Sequence, residues 1–249
     1  MLLENKVAVI FGASGPIGGA VARAFAREGA RVFLSGRTLE KLERVASDIR
    51  ANGGAAEVAV VDALDEQAVD AYVDTLVAQT GVIDISFNLI GYGDVQKPLL
   101  DLSVDDFLQP ITNAMRSHFI TSRAAARHMV KRGSGVILAF GGDGPQTLPG
   151  LGGFKVALDA IESLRRQWAC ELGKRGIRLV TLKTGGIVES IPGDVSEREA
   201  IGASILQSAL LNRTATLADV GHVAAFVASD LAQTITATSV NISCGALME

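Results

Sequence analysis

Short apolar runs alternate with segments of helical periodicity along most of the chain. The first run, Val7 to Phe11, is followed by a glycine-rich turn and then by apolar residues at every fourth position, Ile17, Val21 and Phe25. That pattern is typical of a buried strand, a tight turn and a helix whose apolar side lies on a sheet. Further apolar runs predict strands at 31–35, 57–61, 83–88, 135–140, 177–182 and 239–243.

Helical periodicity between these runs predicts one helix that begins at residue 16 and others at about 37–50, 65–80, 109–131, 150–174 and 217–229. Residues 185–215 show neither period, and we expect them to be irregular. Strands that alternate with helices predict an α/β fold with a single doubly wound, Rossmann-like domain over residues 1–249. We expect about seven parallel strands with helices on both faces of the sheet.

The glycine-rich turn after the first strand predicts a binding site for a dinucleotide. Gly12 suits the tight turn, Gly15 permits close approach of a ligand, and Pro16 suits the first position of a helix. A helix N-terminus reached through such a turn binds anions, usually a pyrophosphate. The alternative is a tight strand–helix connection without a ligand. The turn residues predicted to contact the dinucleotide are Gly12, Ser14, Gly15, Pro16, Ile17 and Gly18.

The second strand ends in Ser35, Gly36 and Arg37, where a dinucleotide-binding fold contacts the adenosine ribose. A carboxylate there binds the 2′-hydroxyl of NAD, whereas an arginine accommodates the 2′-phosphate of NADP. The sequence has the arginine and no carboxylate, so we predict NADP(H) as the cofactor. The alternative is a solvated arginine at the start of a helix.

The end of the third strand offers two interpretations of Asp62. Its carboxylate can accept a hydrogen bond from the exocyclic amine of adenine, with the N–H of Ala63 donating to the same base. It can equally cap the helix that begins near Asp65.

Composition narrows the class of protein. Hydrophobic residues make up 48% of the 249 residues, and the 27 glycines suit a parallel sheet with many tight turns. A net charge of −4 without a basic stripe argues against a nucleic-acid partner. No apolar run reaches the roughly 20 residues of a membrane span. Cys170 and Cys244 are isolated, so we expect reduced core residues in a cytoplasmic protein. The scattered histidines, which we expect on helix surfaces or at interfaces, suggest no metal site: His118, His128 and His222.

Over nearly its full length the chain resembles the short-chain dehydrogenase/reductase family. GASGPIG, residues 12–18, is similar to the family's TGxxxGxG, and Asp62 matches an adenine-binding aspartate. Residues 88–91 resemble NNAG, and ITNAMRSHF matches the helix with a catalytic asparagine, here Asn113. The resemblance implies further cofactor contacts at Asn88, Gly91, Gly185 and Ile187.

The catalytic residues of that family are not retained. Its serine falls on Gly141, or on Gly142 if the loop is one residue shorter, its tyrosine on Phe154 and its lysine on Leu158. A phenyl ring has no dissociable proton, so Phe154 cannot be a general acid or base. An alternative alignment, which needs a three-residue insertion, places Lys155 at the lysine.

Four polar residues remain as candidates for the chemistry. Lys155 can reach the ribose hydroxyls from the same helix face, and Tyr92 is a candidate acid or a loop anchor. Asp143 is a candidate for catalysis or a turn residue between two glycines. Asn113 can hold a water molecule, kink its helix or be an ordinary satisfied polar residue.

These observations predict an NADP(H)-dependent oxidoreductase with non-standard catalytic residues, a reductase of a small, largely apolar substrate. A substrate-binding lid is implied at about 186–215, with apolar residues Ile191, Ile201, Ile205, Leu206 and Leu210. The alternative is an NADP(H)-binding pseudoenzyme that acts as a regulatory or partner subunit. The family resemblance also implies a homodimer or homotetramer. It would form through the two long helices, with Ala124, Ala125, Ala126 and Trp168 packed there.

Overall fold

Seven parallel strands form one sheet in the computed structural model, which describes residues 1–141, 147–191 and 193–248. Their order across the sheet is β3-β2-β1-β4-β5-β6-β7, so the winding reverses between β1 and β4. The apolar runs account for the strands, since every residue of the first one is buried. The strands are β1 (Val7–Phe11), β2 (Arg31–Gly36), β3 (Ala55–Val60), β4 (Ile85–Asn88), β5 (Gly135–Gly141), β6 (Ile177–Lys183) and β7 (Thr238–Asn241).

Helices cover both faces of this sheet, and each face has its own apolar core. One core packs Phe25 and Leu42 against strand residues such as Ile10, and the other packs Val73 and Ile120 against Val9. The doubly wound prediction is therefore confirmed. The helices are α1 (Pro16–Arg27), α2 (Leu39–Ala51), α3 (Glu66–Thr80), α4 (Val104–Arg132), α5 (Gly152–Leu172), α6 (Val195–Ser208) and α7 (Leu217–Ala228).

Two predicted element bounds are wrong. Residues 185–215 are not irregular throughout, because α6 and a 3₁₀ turn at Val188–Ser190 lie within them. The helix predicted from residue 109 begins at Val104, because Ser103 caps it by accepting a hydrogen bond from the N–H of Asp106 at 3.1 Å. Pro110 lies inside this helix and did not end it.

Three predictions of burial are also wrong. His118 is 3% exposed rather than at a surface, and Cys170 is exposed rather than in the core, although both cysteines are free. The side chains of 124–126 are buried within the subunit, so they are not available to a second copy. How deeply a residue is buried depends on which other elements pack against it, and the sequence of its own helix does not show that.

Candidate active site

The glycine turn lies at the carboxyl ends of the strands, at the point where the winding reverses. This crevice is where open α/β sheets bind ligands. Gly12 has φ +84°, and a side chain there would collide with the carbonyl of Leu89. A side chain at Gly18 would collide with the carbonyl of Gly12, which fixes the close packing of α1 on its turn.

Gly15, the remaining glycine of the turn, has open space beside it. A β-carbon at Gly15 would meet only the carbonyl oxygen of Gly12, at 3.5 Å. Gly15 is the N-cap of α1 with Pro16 next, and no side chain of the described residues caps this helix. The first-turn N–H groups and the space beside Gly15 therefore fit a pyrophosphate.

The end of β2 lies directly beside this turn. A β-carbon at Gly36 would be 3.2 Å from the Ser14 hydroxyl oxygen, so Ser14 and the segment 36–37 are neighbours. Arg37 is exposed, and in the described part of the chain it has no ion pair. Ser14 and Arg37 thus present a hydroxyl and a guanidinium at the ribose position, which fits a 2′-phosphate.

The structure excludes one of the two interpretations of Asp62, namely that it caps α3. Asp65, not Asp62, caps α3 by accepting a hydrogen bond from the N–H of Ala68 at 3.0 Å. The capping alternative for Asp62 is therefore wrong. Asp62 accepts from the N–H of Leu64 at 3.0 Å, and its side chain is exposed beside the buried Ala63.

Asn88 holds the turn that follows β4. Its amide nitrogen donates to the Thr121 hydroxyl at 3.0 Å, and its amide oxygen accepts from the N–H of Ile90 at 3.0 Å. Both ends of this buried amide are used, so Asn88 shapes the loop up to Gly91. Gly91 lies on the cavity wall, and a β-carbon there would meet nothing within 4 Å.

A cavity of about 520 Å³ opens beside the crevice. Gly141, Phe154 and Leu158, to which the resemblance assigns the serine, tyrosine and lysine positions, all lie on its wall. A β-carbon at Gly141 would be 3.1 Å from a Leu158 methyl carbon, so the leucine fills the space that a side chain at 141 would need. This part of the wall is therefore apolar.

Tyr92 contributes its ring rather than its hydroxyl to this wall. The hydroxyl donates to the carbonyl of Phe140 at 3.2 Å and lies 3.1 Å from Nε2 of His118. A hydroxyl has one proton to donate, so Nε2 of His118 is the donor in the second bond. Burial raises the pKa of Tyr92 above its usual value and lowers the pKa of His118 to about 4. Both groups are therefore neutral, and this pair anchors the loop as one interpretation of Tyr92 predicts.

Asn113 anchors the same loop from α4. Its amide nitrogen donates to the carbonyl oxygen of Tyr92 at 2.9 Å. The next residue, Gly93, has φ +72°, and a β-carbon there would approach the Asn113 amide nitrogen at 3.7 Å. Asn113 acts here on the backbone of the loop that forms the cavity wall.

Lys155 lies on the cavity wall and forms an ion pair with Asp159 one turn along α5. Its side chain is 18% exposed, so the ammonium is held near the cavity mouth. Asp143, the remaining candidate for catalysis, lies outside the described residues.

The segment after β6 forms the opposite wall. Gly185 and Gly186 line the cavity, and Gly186 has φ +115° beside Ile205 of α6. The side chain of Ile187 belongs to the core, so only its backbone can contact a cofactor. Of the five apolar lid residues, Ile205 lines the cavity, whereas Leu210 is 71% exposed.

Several cavity residues carried no signal in the sequence. They belong to loops and to the chain's last residues, which only the fold brings together, and no motif spans them. Among the residues that the sequence did not single out are Asp94, Thr147, Leu148, Leu151, Ala246 and Leu247.

No group of three or more His, Cys, Asp or Glu side chains is placed to hold a metal ion within ranges 1–141, 147–191 and 193–248. Over the same part of the chain, no helix combines the length and apolar character needed to cross a bilayer.

Comparison with known proteins gives matches over nearly the whole chain. A sequence model of a family described as Enoyl-(Acyl carrier protein) reductase matches residues 12–246. The chain is 30% identical over 251 residues to the oxidoreductase YxbG of Bacillus subtilis, covering 98% of this chain and 91% of that protein. It is 29% identical over 248 residues to 7alpha-hydroxysteroid dehydrogenase of Escherichia coli K12, covering 99% and 96%.

A solved structure shows the same likeness in three dimensions. The 7 alpha-hydroxysteroid dehydrogenase complexed with NADH and 7-oxo glycochenodeoxycholic acid superposes with a TM-score of 0.89 at 28% identity. The match covers 99% of this chain and 96% of that one.

Proposed function

Because the chain belongs to the short-chain dehydrogenase/reductase family and is an oxidoreductase of that type, we propose an NADP(H)-dependent reductase with non-standard catalytic residues. Its substrate is small and largely apolar. The observation that carries the proposal is the apolar cavity of about 520 Å³, whose wall includes Gly141, Phe154 and Leu158, beside the glycine turn.

The glycine turn and Arg37 would hold the cofactor, and the nicotinamide, when bound, supplies a hydride. Gly185 and Gly186 line the cavity where its ring would lie. The apolar wall excludes water and orients the substrate, which is the larger part of what hydride transfer requires. Ordinary interconversion of alcohols and ketones is disfavoured, because positions 141, 154 and 158 provide no proton for the substrate oxygen.

The polar candidates have separate roles in this proposal. Lys155 would contact the ribose hydroxyls in place of Asp159, and Asp143 is proposed as a catalytic residue. Tyr92 and Asn113 are positioning residues, because their hydrogen bonds fix the loop and the ring that form the wall. Asp62 and Ala63 contact adenine.

The first test is titration of the protein with NADPH and with NADH, followed by calorimetry. We expect tight binding of NADPH and weak binding of NADH, because the guanidinium of Arg37 faces no competing carboxylate at the ribose position. Arg37→Ala should weaken NADPH binding at least tenfold, since a charge-assisted hydrogen bond contributes about 1.5–3 kcal/mol. NADH binding should not change.

The matched control is Arg44→Ala, on the exposed side of α2, the helix that follows Arg37, where the guanidinium pairs with Glu40. It should leave both affinities unchanged. Equal binding of NADH and NADPH by the unaltered protein would refute the NADP(H) assignment. Binding of neither would refute the cofactor site.

A second function is favoured by one observation. Leu158 packs into the space over Gly141, so the apolar wall is a built feature rather than a missing side chain. Such a wall suits a cofactor-binding pseudoenzyme that regulates a partner subunit. Tight NADPH binding without turnover of carbonyl, enone or imine substrates would favour this alternative.

We further propose a cytoplasmic homo-oligomer formed through α4 and α5. Phe119 is 42% exposed on α4 and stacks on Trp168 of α5, with ring centroids 5.7 Å apart and planes at 24°. Arg123 also lies over the ring of Phe119, 5.5 Å from its centroid. This outward aromatic pair, and not the buried alanines, would contact the second copy.

A further inference from the structure

The apolar wall limits which bond can accept a hydride. Addition of hydride to a neutral C=O or C=C bond leaves an anion, which must take up a proton from a nearby acid. Addition to an iminium cation, C=N⁺, leaves a neutral amine and requires no proton. Positions 141, 154 and 158 present a hydrogen atom, a phenyl ring and an isobutyl group to the cavity, so the second kind of acceptor suits this wall.

Two charged residues that line the cavity, Lys155 and Asp94, differ in whether they have an ion-pair partner. Lys155 is neutralised by its ion pair with Asp159. Asp94, on the loop after β4, accepts a hydrogen bond from the neutral amide of Gln96 at 3.0 Å and has no ion pair within the described ranges. Residues 142–146, 192, 195–197 and 249 contain no lysine, arginine or histidine that could pair with it. Within the described ranges, Asp94 is therefore the charged residue of the cavity wall that has no ion-pair partner.

Two aromatic rings adjoin the same space. The rings of Tyr92 and Phe154 both line the cavity, with centroids 6.1 Å apart and planes at 39°. The hydroxyl of Tyr92 is occupied by the Phe140 carbonyl and by His118, so the ring is the part of this residue that a ligand meets. Aromatic faces attract cations that approach within about 6 Å of the centroid.

We propose that the substrate is a preformed iminium cation with an apolar, ring-sized body, bound against these two rings with Asp94 as the charge partner. The inference rests on the proposed function. In the reaction, the C–H bond of the dihydronicotinamide breaks and its electron pair forms a C–H bond to the iminium carbon. The C=N π electrons become the nitrogen lone pair, so NADPH is oxidised, the iminium is reduced and no proton moves.

The test uses two probes of similar size and different charge. N-methyl-3,4-dihydroisoquinolinium is a fixed iminium cation, and 1-tetralone is a neutral ketone. Each is titrated by calorimetry into the free protein and into protein saturated with 1,4,5,6-tetrahydro-NADPH, which cannot transfer hydride. We expect the cation to bind at least tenfold more tightly than the ketone. Asp94→Asn should weaken binding of the cation about tenfold and leave binding of the ketone unchanged.

Glu4→Gln is the matched control, because it removes the same charge from an exposed residue that does not line the cavity. It should change neither affinity. With NADPH, the cation should be consumed with one equivalent of cofactor oxidised, and 1-tetralone should not react. Equal binding of the two probes, or an unchanged affinity for the cation in Asp94→Asn, would overturn the inference.

The two proposals fail separately in this design. If tetrahydro-NADPH does not bind, the proposed function fails, while titration of the free protein still measures the charge preference of the cavity. If tetrahydro-NADPH binds and the cation has no advantage over the ketone, only the iminium assignment fails.

Discussion

Gly141 shows how one position constrains another across the cavity wall. A β-carbon there would lie 3.1 Å from a methyl carbon of Leu158, closer than ordinary carbon contacts of about 3.5–4.0 Å. We predict that Gly141→Ser lowers the melting temperature by several degrees, because overpacking a core costs about 1–3 kcal/mol. Thermal unfolding measured by circular dichroism checks this.

Gly91→Ser is the matched control, since Gly91 lines the same cavity but has open space where the β-carbon would be. Its melting temperature should stay within about a degree of the unaltered protein. Gly141→Ser should cost less stability in a Leu158→Ala background than in the unaltered protein, because the added side chain then has room. A Gly141→Ser protein as stable as Gly91→Ser would contradict this account of the wall.

The residues that the sequence did not predict correctly are those whose place depends on tertiary contacts. The place of Arg37 and the turn glycines at the carboxyl ends of the strands could be predicted, because a short local pattern marks the ends of β1 and β2. Asp94 could not, since its place in the cavity follows from loops that converge from distant parts of the chain. His118 was misjudged because its partner, Tyr92, lies 26 residues away and buries it.

Among the elements, α4 and α5 bear the exposed aromatic pair assigned to the oligomer interface. We predict that Phe119→Glu shifts an assembled protein to monomers, because a carboxylate in an apolar contact would be buried without a partner. Light scattering at micromolar concentration measures the change. Leu39→Glu, at a 51% exposed position on α2, is the matched control and should keep the assembly intact.

A monomeric unaltered protein would refute the interface outright. The elements themselves could be predicted where one period dominates, as in β1 and α1. The lid helix α6 escaped prediction because SEREAIGASILQS contains few apolar residues at helical spacing. Its position depends instead on packing, in which Ile205 lies against Gly186.

Acid stability is a property of the whole molecule in which His118 has a defined part. Burial lowers its pKa to about 4 in the folded protein, against about 6.5 in the unfolded chain. Between pH 6.5 and 4 the unfolded state binds the additional proton, so the free energy of unfolding falls as the pH is lowered through this window. The contribution is roughly 3 kcal/mol.

Urea unfolding at pH 7, 5.5 and 4.5 measures that slope. We expect His118→Gln to flatten it, because glutamine does not titrate, and His222→Gln, at an exposed position, to leave it unchanged. The difference between the two variants removes the contribution of carboxylates, which is common to both. Parallel pH profiles would mean that the buried imidazole does not control acid sensitivity.

The close approach of position 141 to Leu158 also affects which further substitutions the protein tolerates. A serine at 141 alone would press on the leucine, and a lysine at 158 alone would place an ammonium in an apolar cluster. Either single substitution passes through a less stable protein, so the first step meets a barrier even where the pair together would be viable. The two positions are therefore expected to change together, and new activities to build on the apolar wall.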